Sequence, residues 1–144
     1  MAYTLRTVQI HFAGETPAAV INAPAVVVEY LRPIFKTLDA DREHFVILAL
    51  NTKNSVTGFK VVSTGGVSAT SVDAKTLFRD ALGLGAASLV LAHSHPSGDP
   101  TPSRDDIALT RKLVAGGELL DVKIHDHVIM AGAAFVSFAE RGLL

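Results

Sequence analysis

Four residues in the run HSHPSGDPTPSRDD have the types and the spacing of a metal-dependent active site. His93 and His95 stand two positions apart, Ser103 follows, and Asp106 comes three positions after the serine. Two imidazoles and one carboxylate make three protein ligands, the number that a catalytic zinc takes when its fourth position is left to water. The pattern therefore points to one Zn²⁺ with water as its fourth ligand, and to a reaction as well as to a metal.

The composition excludes several other kinds of site and partner. The chain has 144 residues, no cysteine and a net charge of −1, which excludes thiolate zinc sites, disulfide frameworks and cysteine nucleophiles. Strong binding of nucleic acid is not expected, because that needs clustered Lys and Arg. The longest apolar stretch, residues 81–92, is too short to span a bilayer, and the N-terminal residues lack the pattern of a signal peptide. We expect a soluble, cytoplasmic protein with no membrane partner; nothing in the sequence indicates an oligomeric state.

The alternation of elements predicts an α/β sandwich, with a single mixed sheet flanked by helices. Hydrophobic residues make up 49% of the chain, enough for the core of one domain over residues 1–144. Strands are predicted over residues 4–12, 45–50, 59–63 with a continuation at 67–70, 88–92, 123–130 and 135–138. Helices are predicted over residues 25–38, 73–82 and 104–115, with Pro33 kinking or breaking the first and Gly116-Gly117 ending the last.

The histidine pair lies at the end of a predicted buried strand. Residues i and i+2 of a strand share a face, so both imidazoles converge if the strand beginning at Ser88 continues through His95. An isolated pair of this kind is more often two hydrogen-bonded, inert histidines. The serine and aspartate that follow favour the functional interpretation.

Two interpretations apply to Ser103 and Asp106. Ser-x-x-Asp before an apolar helix is a capping-box pattern, with Asp106 also favoured near the positive helix end. Asp106 nevertheless shares a helical stripe with Leu109 and Leu113, and a carboxylate facing the core is costly unless it is paired or coordinated. Asp105 falls closer to the exposed side and is the weaker ligand candidate.

A zinc-activated water also needs a general base. Candidates are several Asp and the glutamates Glu15, Glu29, Glu43, Glu118 and Glu140. Glu43 immediately precedes the buried strand FVILAL and so lies at a sheet end, although its spacing equally fits a surface glutamate in the polar turn DADRE.

A second His-x-His, His125-Asp126-His127, lies on another predicted strand. No third ligand is close in sequence, so a structural or supporting role is favoured over a rival metal site. Asp126 in particular is a candidate for orienting a metal-bound imidazole, as carboxylates behind metal ligands do.

These residues resemble a known family. The spacing fits the JAMM motif of the JAB/MPN metalloproteases: His93-Ser94-His95, then seven residues, Ser103, two residues and Asp106. The whole run HSHPSGDPTPSRDD is similar to the RadC-type branch of that family. Further similarities span residues 24–144, in EHFVILALNTKN, LFRDAL, HDHVIMAG and FVSFAERGLL.

The resemblance implies a mixed sheet similar to the cytidine-deaminase-like sandwich and zinc held by His93, His95 and Asp106. It also implies Glu43 as general base, Ser103 as a stabiliser of the tetrahedral intermediate, and hydrolysis of a peptide or isopeptide bond in an unknown protein or peptide substrate. Ser94 stands where such sequences usually carry Asn, a position that is not a ligand. We expect no N-terminal helix-hairpin-helix region, which often precedes this domain in longer relatives.

Three alternatives belong to other classes. A zinc deaminase expects H-x-E and P-C-x-x-C, which this chain lacks. A metal-dependent nuclease usually has a carboxylate-rich Mg²⁺ or Mn²⁺ site. The third is a non-catalytic metal-binding accessory or interaction module, associated with DNA repair or mobile-element biology.

Overall fold

The computed structural model describes residues 1–5, 19–66 and 71–144. Within them the chain forms, in order, α1 (Pro24–Phe35), β1 (Glu43–Leu50), β2 (Val56–Gly65), α2 (Ala74–Gly83), β3 (Ser88–Ser94), α3 (Arg104–Leu119), β4 (Lys123–Ala131) and β5 (Ala134–Ser137). The strand predicted over residues 4–12 lies, after its first two residues, outside the described part, as does the continuation predicted at 67–70. None of the helices in the described part is long and apolar enough to cross a membrane.

The strands form one five-stranded sheet in the order β2-β1-β3-β4-β5. β3 and β4 are parallel, and the other neighbouring pairs are antiparallel. The predicted α/β fold with a single mixed sheet is confirmed. β3 is the central strand, so the residues at its end have β1 on one side and β4 on the other.

Helices pack on both faces of the sheet and bury both faces of β1 and β3. Alternate β1 residues, beginning with Phe45 and Ile47, pack with residues of α2 and α3 such as Leu77 and Leu109. The intervening residues, such as Leu48, pack in a second cluster with α1. Strand side chains alternate between faces, so an uninterrupted apolar run such as FVILAL supplies both layers at once. Each fully buried Leu or Phe contributes roughly 1.5–3 kcal/mol relative to an exposed one.

α1 ends earlier than its apolar pattern predicts. Pro24 lies at the first helical position, where its missing N–H costs nothing. Pro33 lies in the last turn, and the helix ends at Phe35 instead of residue 38. A proline inside a helix removes one backbone hydrogen bond and crowds the preceding turn, so the predicted break takes the form of an early helix end.

α3 ends later than predicted, and the expected stop at Gly116-Gly117 is wrong. The helix continues through both glycines to Leu119. A Cβ on Gly117 would lie 2.4 Å from the carbonyl oxygen of Val122, and one on Gly116 would lie 2.9 Å from the Phe78 ring. Gly117 therefore allows α3 to pack closely on the chain entering β4, and Gly116 allows it to pack closely on α2. Neither glycine ends the helix.

Candidate metal centre

The two histidines of the first His-x-His lie at the end of the central strand. His93 is fully buried in β3, and His95 follows the strand, held beside β4 by its N–H, which donates to the Met130 carbonyl at 2.9 Å. Their Nε2 atoms are 2.9 Å apart. The predicted convergence of the imidazoles is thus present in the structure, with His93 forming the inner wall and His95 partly open to solvent.

Asp106 is brought to the same point by the first turn of α3. Ser103 is the N-cap: its Oγ accepts the Asp106 N–H at 3.0 Å, and Asp106 Oδ2 accepts the Ser103 N–H at 2.8 Å. The Asp106 carboxylate is buried, with Oδ1 3.3 Å from His93 Nε2 and Oδ2 3.3 Å from His95 Nε2. Asp106 shares its buried stripe with Leu109 and Leu113, whereas Asp105 is exposed, as the helical spacing predicts. The capping-box and core-facing interpretations therefore both hold.

Asp106 stays ionised despite its burial. Burial by itself raises the pKa of this carboxyl group, but its contact with His93 and the hydrogen bonds with Ser103 outweigh that effect and hold the pKa well below its usual range. A buried carboxylate with a strongly lowered pKa is an anionic ligand ready for a cation.

His93, His95 and Asp106 form a group that could hold a metal ion, with ligand atoms all within 4.8 Å of one another. His95 Nδ1 lies 2.8 Å from the Asp99 carbonyl oxygen, which can only accept, so Nδ1 carries the hydrogen and a neutral His95 has a bare Nε2. That lone pair and the carboxylate oxygens converge and would repel one another without a cation. Tetrahedral zinc, with ligands at about 2.0–2.1 Å, would set ligand atoms about 3.3 Å apart, so the observed spacing fits such an ion.

A third histidine, His127, lies behind His93. It is fully buried in β4, with Nε2 2.7 Å from His93 Nδ1 and Nδ1 2.6 Å from Thr110 Oγ1. Its ring stacks on Phe138 at a centroid distance of 4.6 Å and meets the edge of Phe45 at 5.3 Å. Burial lowers the pKa of His127 well below its ordinary value, so this ring is neutral.

The suggested role of Asp126 behind a metal ligand is wrong. Its Oδ1 accepts the N–H groups of His127 and Ala139 at 2.7 and 2.9 Å, and its Oδ2 accepts the Ser137 hydroxyl at 2.6 Å. Neighbouring strand residues face opposite sides of the sheet, so Asp126 cannot share the face of His127. Nor does His125 join any group of three metal-ligating side chains in the described part of the chain.

Thr110 was not singled out from the sequence. It lies four residues after Asp106 on the same buried stripe, and its hydroxyl donates to the Asp106 carbonyl at 2.7 Å. Helical spacing places it beside the ligand, but its contact with β4 depends on the packing of α3 against the sheet.

Glu43 and Ser103 are placed by the start of β1 and by the start of α3. Glu43 is the first residue of β1 and is half-buried. Phe45 pairs with His93 in the antiparallel register, so Glu43, two residues before Phe45 on the same strand face, lies toward the end of the sheet at which β3 ends. Ser94 Oγ accepts the His44 N–H at 3.1 Å and so ties the start of β1 to the end of β3. Ser103 is exposed, and its hydroxyl keeps its own hydrogen for donation.

The mixed sheet with its helices defines an α/β domain. Two histidines at the end of the central strand and an aspartate in the helix that follows form a possible His-His-Asp metal centre. The family model described as the RadC-like JAB domain matches residues 21–143, and the chain belongs to this family.

Similar proteins carry the name UPF0758 protein. One from Desulforamulus reducens is 45% identical over 106 residues, covering 74% of this chain and 47% of the relative. One from Halalkalibacterium halodurans is 41% identical over 136 residues, covering 94% of this chain and 58% of the relative. One from Methanosarcina mazei is 40% identical over 130 residues, covering 90% and 56%. The chain thus spans about half the length of the curated relatives it matches.

Proposed function

We propose that this domain is a zinc-dependent hydrolase that cleaves a peptide or isopeptide bond in a protein or peptide substrate. The observation that carries the proposal is the convergence of His93 Nε2, His95 Nε2 and the Asp106 carboxylate on one point, beside a solvent-accessible edge. Membership of the RadC-like JAB family supports the same conclusion. Imidazole and carboxylate ligands in this ratio suit zinc with an open position for water.

When bound, zinc would polarise the scissile carbonyl and lower the pKa of its water toward about 7. Glu43, at the same end of the sheet, takes one proton from the attacking water as its oxygen bonds to the carbonyl carbon. Glu43 then passes that proton to the leaving nitrogen as the C–N bond breaks. The products are a carboxylic acid, which keeps the second proton of the water, and an amine; that proton then passes to the amine, which leaves a carboxylate and an ammonium group and regenerates the glutamate.

Ser103 would stabilise the negative charge that develops on the carbonyl oxygen. Its Oγ already accepts the Asp106 N–H, so its orientation is fixed while its O–H remains available to donate. A single positioned donor of this kind is typically worth about 3–4 kcal/mol in the transition state.

A groove of about 570 Å³ borders the site at His95 and would receive the substrate chain. Its lining combines apolar side chains such as Phe35 and Met130 with the charged side chains of Arg32, Lys36 and Asp39. Such a surface would offer van der Waals contact for substrate side chains beside His95.

The test compares three variants on zinc-loaded protein, using a fluorogenic peptide library and peptides linked through a lysine ε-amine. Glu43→Gln should keep zinc but lose hydrolysis by at least about 100-fold, because a general base contributes about 10²–10⁴-fold. His95→Ala should lose both zinc and hydrolysis. Glu118→Gln, the same change at an exposed site at the far end of α3, should alter neither.

Two results would count against this proposal. Full activity of Glu43→Gln would refute the assignment of the base. A wild-type protein that binds zinc tightly but cleaves none of the probes would favour the non-catalytic metal-binding module.

A further inference from the structure

We propose that His127 and Thr110 are positioning residues that fix which nitrogen of His93 carries its hydrogen, and so present His93 Nε2 as a bare metal ligand. This inference rests on the metal centre of the proposed function. It does not depend on which bond, if any, the domain cleaves.

The direction of the hydrogen bonds is set at Thr110. Its hydroxyl has one hydrogen, which points at the main-chain carbonyl of Asp106, 2.7 Å away. A carbonyl can only accept, so the threonine oxygen must act as an acceptor toward His127. The Nδ1 of His127, 2.6 Å from that oxygen, therefore carries the ring hydrogen.

The position of the hydrogen on His127 determines its position on His93. The His127 ring is fully buried against two phenylalanine rings, where an imidazolium charge would be costly, so the ring is neutral. With its hydrogen on Nδ1 it has a bare Nε2, which accepts from His93 Nδ1 at 2.7 Å. His93 then carries its hydrogen on Nδ1, and its Nε2 lone pair faces His95 Nε2 and Asp106 Oδ1. The chain of hydrogen bonds begins at the Asp106 carbonyl and ends beside the Asp106 carboxylate, so it links two of the three ligands.

Within the described part of the chain, each ring nitrogen of His127 has one hydrogen-bond partner. The ring is fully buried between Phe138 and Phe45, and Phe45 also stacks on His93 at 5.9 Å. An aromatic cage of this kind excludes water and holds the ring plane, so both ring nitrogens are committed to His93 and Thr110. His95 is oriented differently, by a main-chain carbonyl in the loop after β3.

Loss of the Thr110 hydroxyl should release this constraint. In Thr110→Val, which has nearly the same shape, His127 is free to carry its hydrogen on Nε2 and donate to His93. His93 would then hold a hydrogen on its own Nε2, where the metal must bind. Partners behind metal ligands typically contribute about 10–100-fold in metal affinity. We therefore expect Thr110→Val and His127→Phe to weaken Zn²⁺ binding by about that factor, and Thr110→Ser to restore it.

The experiment measures Zn²⁺ dissociation constants by competition with a chromophoric chelator, and ring tautomers by two-bond ¹H–¹⁵N correlation in metal-free protein. The wild type should show the hydrogen on Nδ1 of both His93 and His127. Ser137→Ala is the matched control, since it removes a buried hydroxyl whose 2.6 Å hydrogen bond goes to Asp126 on the other sheet face. It should leave Zn²⁺ affinity unchanged.

The possible failures are distinguishable. Wild-type affinity in both Thr110→Val and His127→Phe, or hydrogen on Nε2 of wild-type His127, would overturn the positioning role alone. A wild-type protein that binds no Zn²⁺ would overturn the metal centre and this inference together. Absence of hydrolysis with the affinity differences intact would count only against the hydrolase, and would support the positioning role.

Discussion

At the scale of single residues, Ser103 combines a structural and a chemical role. It caps α3 by accepting the Asp106 N–H, and the proposed reaction uses its O–H. Ser103→Ala should lower the free energy of unfolding by about 1 kcal/mol through loss of the cap, and lower kcat by about 10²–10³-fold. Urea unfolding of metal-free protein and peptide hydrolysis measure the two effects separately.

Ser103→Asp separates the two roles. Aspartate is a good N-cap, so the free energy of unfolding should stay near the wild-type value. Its ionised side chain has no hydrogen to donate, so hydrolysis should fall at least as far as in Ser103→Ala. An active Ser103→Asp variant would show that the serine serves only the helix.

The sequence predicts the ligands better than it predicts the residues behind them. Asp106 could be chosen over Asp105 because helical periodicity alone decides which one faces the core. His127 could not be placed behind His93 in the same way. Their contact depends on the pairing of β3 with β4, in which Leu91 faces His127 after a register shift between Leu89 and Val90. Spacing along one strand carries no information about that shift.

At the scale of elements, the C-terminal half of α3 shows that a glycine pair can mark close packing rather than a helix end. The Val122 N–H donates to the Gly117 carbonyl at 2.8 Å, which brings the chain entering β4 against the helix. Sequence alone could not separate these two meanings of glycine, because the atom that a side chain would strike lies in the following turn.

This packing gives a stability prediction. Gly117→Ala places a methyl group against the Val122 carbonyl, where no flexible side chain can yield, and should cost about 3 kcal/mol of unfolding free energy, the upper part of the range for overpacking. Gly83→Ala is the matched control at the end of α2, where a Cβ would meet no atom of the described residues within 4 Å. It should be neutral or stabilise the fold by up to about 1 kcal/mol. Equal effects of the two substitutions in urea unfolding would contradict the close-packing interpretation.

At the scale of the whole molecule, the fold class followed from the sequence because β1 and β3 are apolar on both faces. Such strands belong in the middle of a sheet covered by helices, and both lie there. The order of the outer strands did not follow, since β2 and β5 carry mixed patterns that fit several edge positions.

Because two hydrophobic clusters cover the sheet, the fold should not depend on metal. Metal-free protein in chelator should unfold in one cooperative transition, whereas a domain that needs bound zinc to fold would already be unfolded without it. Zn²⁺ should then add stability by mass action, about 2.7 kcal/mol at a free concentration 100 times its dissociation constant. His95→Ala should keep the metal-free transition and lose the zinc-dependent increase, as measured by thermal unfolding at fixed free Zn²⁺. An equal increase in His95→Ala would mean that zinc binds elsewhere on the molecule.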